Sequence, residues 1–214
     1  VRAFTLMKLI SRLAYQSLVK IMRKNIGQIA GRFASCLLAG SLIVVMADAY
    51  AEDTPAAVTA LIPVIKKWGE DPGLIAAVKE QNAKGMTLDQ IQKRDKEWMA
   101  TTGMDDQMKA MMKNAAAQEL DKLEATKPYF FESILMDNQG ANVAMTNKTS
   151  DYWQGDETKF TNAFKVGGVD IGKSKFDDSA KAYLIQVSVP VLEGGKPIGA
   201  LCVGINLDEL DKAK

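Results

Sequence analysis

The sequence predicts an α+β protein with its helices first and an antiparallel sheet second. Two observations carry that reading. Between Pro55 and about Thr126 apolar residues recur at helical spacing, and after Pro128 short apolar runs alternate and are punctuated by turn residues. A hydrophobic content of 47% with 25% charged residues in a 214-residue chain fits a folded protein with a proper core.

Ahead of the helices lies a segment with a different character. Residues 1–21 are basic and apolar, and translation is expected to start at Met22. Arg23, Lys24 and Arg32 then form a positive region, Phe33 to Met46 an apolar run, and Ala49-Tyr50-Ala51 a small-x-small cleavage signal. That order is the layout of a secretory signal peptide over residues 22–51, and the apolar run is shorter than the ~20 residues a membrane-spanning helix needs. The mature chain is expected to begin at Glu52, in the periplasm, without stable membrane insertion. Its residues 52–214 read as one domain, helical over 52–127 and sheet-forming over 128–214.

Within the helical part, Val58, Leu61, Ile62 and Ile65 share one face, and Gly69-Glu70-Asp71-Pro72-Gly73 breaks the helix. Leu74, Ile75 and Val78 continue on a second helix as far as Gly85. Thr87, with Gln90 three residues on, opens a third as a capping box. Leu88, Ile91, Asp95, Trp98 and Met99 follow on it, a face expected to rest on the sheet. Asp105 can cap a fourth, whose stripe of Met108, Met111 and Met112 is expected to pack, since Met fills irregular gaps.

The strands begin with Tyr129 to Met136. The tetrapeptide Asp137-Asn138-Gln139-Gly140 is turn chemistry, so Asn142 to Thr146 completes a hairpin. A polar loop carries Tyr152 and Trp153 among Asp151, Gln154, Asp156 and Glu157, and a short helix is expected around Glu157–Phe164. Ile171 to Phe176 reads as a weak strand. Tyr183 to Val191 alternates, with Tyr183, Ile185, Val187 and Val189 on one side and Leu184, Gln186 and Ser188 on the other. Glu193-Gly194-Gly195-Lys196 is a second hairpin turn. The last strand, Ile198 to Ile205, places Ala200, Cys202 and Gly204 on one face, where small side chains leave room. Asn206 to Lys214 reads as a short polar helix.

Charge and composition exclude several kinds of chemistry. Residues 1–51 hold seven basic groups and one acid, leaving 20 basic and 25 acidic groups and a balance of −5 for the rest. An acidic body lacks the basic face that nucleic acid requires. With no histidine, the chain has no Ser–His or Cys–His nucleophile pair, no His-ligated zinc and no C-x-x-C-H haem attachment. Cys36 is expected to leave with the signal peptide, so Cys202 is expected to be a buried, inert thiol. The acidic loop lacks the D-x-[DN]-x-[DN]-G pattern of a calcium hand. No enzyme activity, metal or cofactor is expected.

From about Thr54 onward the chain resembles the Cache family, the extracytoplasmic relatives of the PAS fold that serve as bacterial small-molecule sensors. The residues that carry the resemblance are the strand ending in Asp137-Asn138-Gln139-Gly140, Val143-Ala144, the run Thr149 to Glu157, Phe176-Asp177-Asp178-Ser179, Ser188 to Val191, and Gly195 to Ala200, in that order. The resemblance implies N-terminal helices packed on a five- or six-stranded antiparallel PAS-like sheet. It also implies a pocket between one sheet face and the loops crossing it, with an amino acid, amine or small carboxylate as ligand. The side chains expected there are Tyr129, Thr146, Tyr152, Trp153, Asp156, Lys175, Tyr183 and Gln186. Arg94, the only arginine after Ala51, falls on a helix, so Lys173, Lys175 or Lys181 is expected to meet any carboxylate, and the acidic, aromatic loop suits a cation equally well. In membrane-bound relatives a transmembrane helix and signalling modules would follow the last strand. Here the sequence ends, which implies a periplasmic ligand-binding module without an output domain, with a membrane receptor or transporter as partner. The alternative is a structural or protein-interaction module whose pocket is filled by its own side chains.

Overall fold

Among the described residues six helices precede the first strand, and at four of them a polar side chain next to the helix in sequence caps its start. In this computed structural model residues 55–165 and 168–213 are described; the expected translation start, signal peptide, cleavage point and Cys36 lie outside the described residues. The helices are α1 (Ala56–Thr59), α2 (Ile62–Trp68), α3 (Pro72–Ala83), α4 (Leu88–Ala100), α5 (Asp106–Met111) and α6 (Ala115–Glu124). At α3 the Asp71 carboxylate accepts the Gly73 and Leu74 N–H groups at 2.8 and 3.1 Å, and Pro72 fills the first turn, where no N–H is needed. Thr87 and Gln90 exchange hydrogen bonds in the capping box that opens α4. Asp105 and Asn114 cap α5 and α6 through the N–H groups of Met108 and Ala117.

The strands are β1 (Phe130–Met136), β2 (Asn142–Met145), β3 (Asp170–Ile171), β4 (Lys175–Asp177), β5 (Ala182–Glu193) and β6 (Lys196–Asn206). They form one antiparallel sheet in the order β2-β1-β6-β5-β3, with β4 also paired to β5. This is the α+β class that the sequence predicts, with six strands where five or six were expected. Positive φ at Gly194 (57°) and Gly195 (78°) makes the tight β5–β6 turn. Pro190 is tolerated inside β5 because even-numbered N–H groups there point away from β6. The Leu192 N–H, two residues on, reaches the Gly69 carbonyl outside the sheet at 3.2 Å.

Two expectations are corrected in detail. The single weak strand over Ile171–Phe176 is two strands, β3 and β4, parted where the Gly172 N–H turns to the Gln186 carbonyl at 2.8 Å. The helix expected over Glu157–Phe164 is a short α7 (Thr158–Phe160) that widens into a π-helical turn over Thr161–Lys165. A last helix, α8 (Leu207–Lys212), is capped by Asn206.

The sheet is covered on both faces, unequally. On one face Ile185, Val187, Val189, Leu201 and Val203 join Val58, Ile65, Leu74, Val78 and Leu120 of the helical layer in the main core. On the other, Ile134, Met136, Ala200 and Cys202 meet only Phe160, Ala163 and Phe164. A third cluster joins Ile91, Trp98, Met108, Met111, Met145 and Tyr152. Here α4 departs from the sequence reading. Leu88 and Met99 are 43% and 55% exposed, and Trp98 packs on the loop before Trp153, not on the broad sheet face. Its indole N–H reaches the Thr149 carbonyl at 2.9 Å, so a fully buried Trp leaves no unsatisfied donor. Among the described residues no helix is long and apolar enough to cross a membrane.

Candidate ligand-binding site

The site begins with a charged residue inside an apolar strand. Glu132 follows Phe130 and Phe131 in β1 and is paired in register with Gly204 of β6, which in turn pairs with Gln186 of β5. A Cβ at Gly204 would collide with Cγ of Glu132. Glycine therefore lets the glutamate lie across β6, where its Oε1 accepts a hydrogen bond from Nε2 of Gln186 at 2.9 Å. This polar row lies on the thinly covered face.

Over the row stand the loop after β2, α7 and the β3–β4 edge. They border a cavity of about 530 Å³ with Glu132 and Gln186 on its floor. Such a volume suits a small ligand. Both signs of charge line it: Glu157, Asp170 and Asp177 with Lys159, Lys173 and Lys175. Lys159 is only 12% exposed and pairs with Glu157 at 3.2 Å. Asp170 accepts the Asn162 side-chain amide at 2.6 Å. The Ser179 hydroxyl and the Ala180 N–H hold the Asp177 carboxyl below its usual range, which commits it to the turn after β4. Beneath α7, burial pushes the Cys202 thiol up to about 12, a proton-holding group without nucleophilic character at neutral pH.

Of the side chains the sequence nominates, Lys175 and Gln186 line this cavity. Trp153 and Asp156 border another, of about 460 Å³, together with Asp95 and Asp151. Tyr152 is fully buried and forms part of a third. The remaining three line none of these cavities. Tyr129 packs edge-on against Phe130 in the main core, and Tyr183 lies against Phe176 at the outer edge, 53% exposed. Thr146 donates its hydroxyl to Glu124 at 2.9 Å and accepts the Ser133 N–H at 2.8 Å.

The aromatic loop is sewn to the first hairpin. Asp95 of α4 accepts the N–H groups of both Tyr152 and Trp153, at 2.8 and 3.0 Å. The Trp153 indole N–H reaches the Gln139 carbonyl at 2.8 Å, and the Gln154 N–H reaches Gly140. A Cβ on Gly140 would meet the backbone of Gly155, so the two strands of chain approach as only glycines permit. Glu132, Lys159 and Asp170 were not among the nominated side chains. The signal for the first was present: an acid in an apolar strand, and a glycine on the facing strand.

No family model matches the chain, and no curated protein matches it. Among solved structures it is similar to the sensor domain of the V. cholerae histidine kinase DctB, at 14% identity and a TM-score of 0.39, over 93% of this chain and 60% of that one. Another is the ligand-binding domain of the Pseudomonas aeruginosa PAO1 amino acid chemoreceptor PctC, in complex with GABA, at 14% identity and a TM-score of 0.38, over 66% of this chain and 61% of that one. A third is the sensory domain of the Campylobacter jejuni chemoreceptor Tlp3 with isoleucine bound, at 17% identity and a TM-score of 0.37, over 74% of this chain and 66% of that one. All three are sensor or ligand-binding domains. The chain spans about three fifths to two thirds of the length of these domains.

Proposed function

We propose that the protein is a periplasmic small-molecule-binding module and that its site is the cavity over Glu132 and Gln186. The observation that carries this reading is the mixed charge of the lining, a half-buried Lys159–Glu157 pair above a carboxylate–amide row. A ligand with one charge would leave groups of the other sign unpaired in the cavity. A zwitterion satisfies both, its carboxylate toward Lys159, Lys173 or Lys175 and its ammonium toward Glu132 or Asp170. An amino acid therefore fits better than a simple amine or carboxylate. Location rests on the signal-peptide pattern of residues 22–51.

One observation favours the alternative, a module with a self-filled pocket: Glu132 and Glu157 already have partners within the cavity. Thermal unfolding across the proteinogenic amino acids, simple amines and short carboxylates separates the two. Ligand that binds only the native state raises the midpoint by mass action, worth about 2.7 kcal/mol at a hundred times Kd. The expected result is a rise with one or more amino acids that Lys159→Met removes. A flat response across the whole panel supports the self-filled reading.

A further inference from the structure

The two edges of the sheet are finished differently. At the β2 edge the Asn142 N–H reaches the Tyr152 carbonyl at 3.0 Å, and the Val143 carbonyl takes the Asn114 side-chain amide at 2.9 Å. At the other edge, β4 has no such cover among the described residues. Even-numbered residues of β5 turn their backbone groups toward β3 and β4, as the Gln186 carbonyl does in taking the Gly172 N–H. Lys175 and Asp177, in register with Leu184 and Ala182, therefore direct their backbone groups to β5, and Phe176 between them turns its N–H and C=O outward. The Phe176 ring lies edge-on against Tyr183, with centroids 5.4 Å apart, and both rings are more than half exposed. An open edge of this kind is a template for another strand.

We propose that this edge pairs with the same edge of a second copy of the chain, through an antiparallel β4–β4 contact whose two-fold axis passes at Phe176. Charge selects both the occupant and the register. Phe176 of each copy donates its N–H to the Phe176 carbonyl of the other, as an antiparallel hydrogen-bonded pair does. Lys175 then stands directly opposite Asp177 of the partner subunit, and symmetry makes that contact twice. The Asp177 Oδ1 takes the Ser179 and Ala180 N–H groups, so Oδ2 remains to meet a cation. Moving the axis one residue either way would set Lys175 against Lys175 or Asp177 against Asp177, and like charges directly opposite are destabilising. On the face opposite Lys175 the two Phe176 rings meet between the two Tyr183 rings, an aromatic row across the joint. One short strand pair buries less than the roughly 1,200 Å² of a stable complex, so the dimer is weak and concentration-dependent. The proposal does not rest on the amino-acid reading of the neighbouring cavity.

Sedimentation velocity of the protein without added ligand, over about 10 µM to 1 mM where weak complexes assemble, tests it. The expected result is a sedimentation coefficient that rises with concentration from monomer toward dimer. Lys175→Glu sets a like charge against Asp177 at both contacts and is expected to weaken the dimer about tenfold or more. Phe176→Pro removes the outward N–H, which the monomer's own ladder does not use, and should leave a monomer. Lys175→Glu, a change at an exposed edge position, carries the test should the proline variant be unstable. Phe176→Cys should be bridged to its counterpart by a short bismaleimide far faster than Val64→Cys, which is also exposed but lies on the helical layer. A single monomeric species at every concentration would overturn the proposal. So would dimers that neither Lys175→Glu nor Phe176→Pro weakens, or equal bridging at positions 64 and 176.

Discussion

Gly204 matters for what it leaves out. Its position on β6, between Glu132 and Gln186, is the one place where an added methyl would block the glutamate from crossing the strand. In an ordinary strand Gly→Ala is mildly favourable, because alanine loses less backbone freedom on folding. Here the methyl would force Glu132 away from Gln186 and into the cavity. Gly204→Ala is expected to cost about 1–3 kcal/mol, the usual range for overpacking. The cost should vanish or change sign in a Glu132→Ala background, where nothing meets the methyl. Urea unfolding of the two single variants and the double variant measures that coupling. An equal cost in both backgrounds would show that the glutamate is not what Gly204 accommodates.

At the scale of elements, the connection to test is the one between α4 and the aromatic loop. Asp95 alone accepts two backbone N–H groups of a loop that lies above the third hydrophobic cluster. Asp95→Ala would leave both donors without that partner, and hydrogen bonds to a charged group are worth about 1.5–3 kcal/mol. A loss of about 2 kcal/mol is expected, with Asp95→Asn losing roughly half as much because an amide oxygen still accepts. Chemical unfolding gives both values; an Asn variant no better than Ala would mean that the acceptor oxygen is not what matters. The caps and turns around these elements were legible in the sequence because their partners are close by. Thr87 and Gln90, Asp105 and Met108, and Asp137 and Gly140 each lie within three residues. The cavity was not legible in the same way. Glu132 and Gln186 meet across 54 residues of chain, and only the register of three strands brings them together. The aromatic loop is conspicuous in the sequence by its composition alone. Its Tyr and Trp are held by α4 and the first hairpin, contacts that a local pattern does not encode.

For the molecule as a whole, the two faces of the sheet differ in how well they are protected. Among the described residues, the helices that stand before the sheet supply the main core on one side, whereas three residues of α7 and one π-helical turn cover much of the other. Thinly packed segments open at lower free energy than the body of a fold. The cover above the proposed amino-acid site should therefore lift while the helical layer and sheet stay intact. Cys202 reports this directly: it is the free cysteine among the described residues, buried in the centre of β6 beneath Phe160. With its thiol pushed up to about 12 by burial, it should react with a thiol reagent only after the cover opens. Labelling of the native protein is thus expected to be slow. Below the unfolding transition its rate should rise only shallowly with urea, because a local opening exposes little surface. A bound amino acid that bridges Lys159 and the floor of the cavity should slow it further by holding α7 closed. If labelling instead follows urea with the full slope of global unfolding, the cover is as stable as the body, and a ligand must enter between parts that do not move.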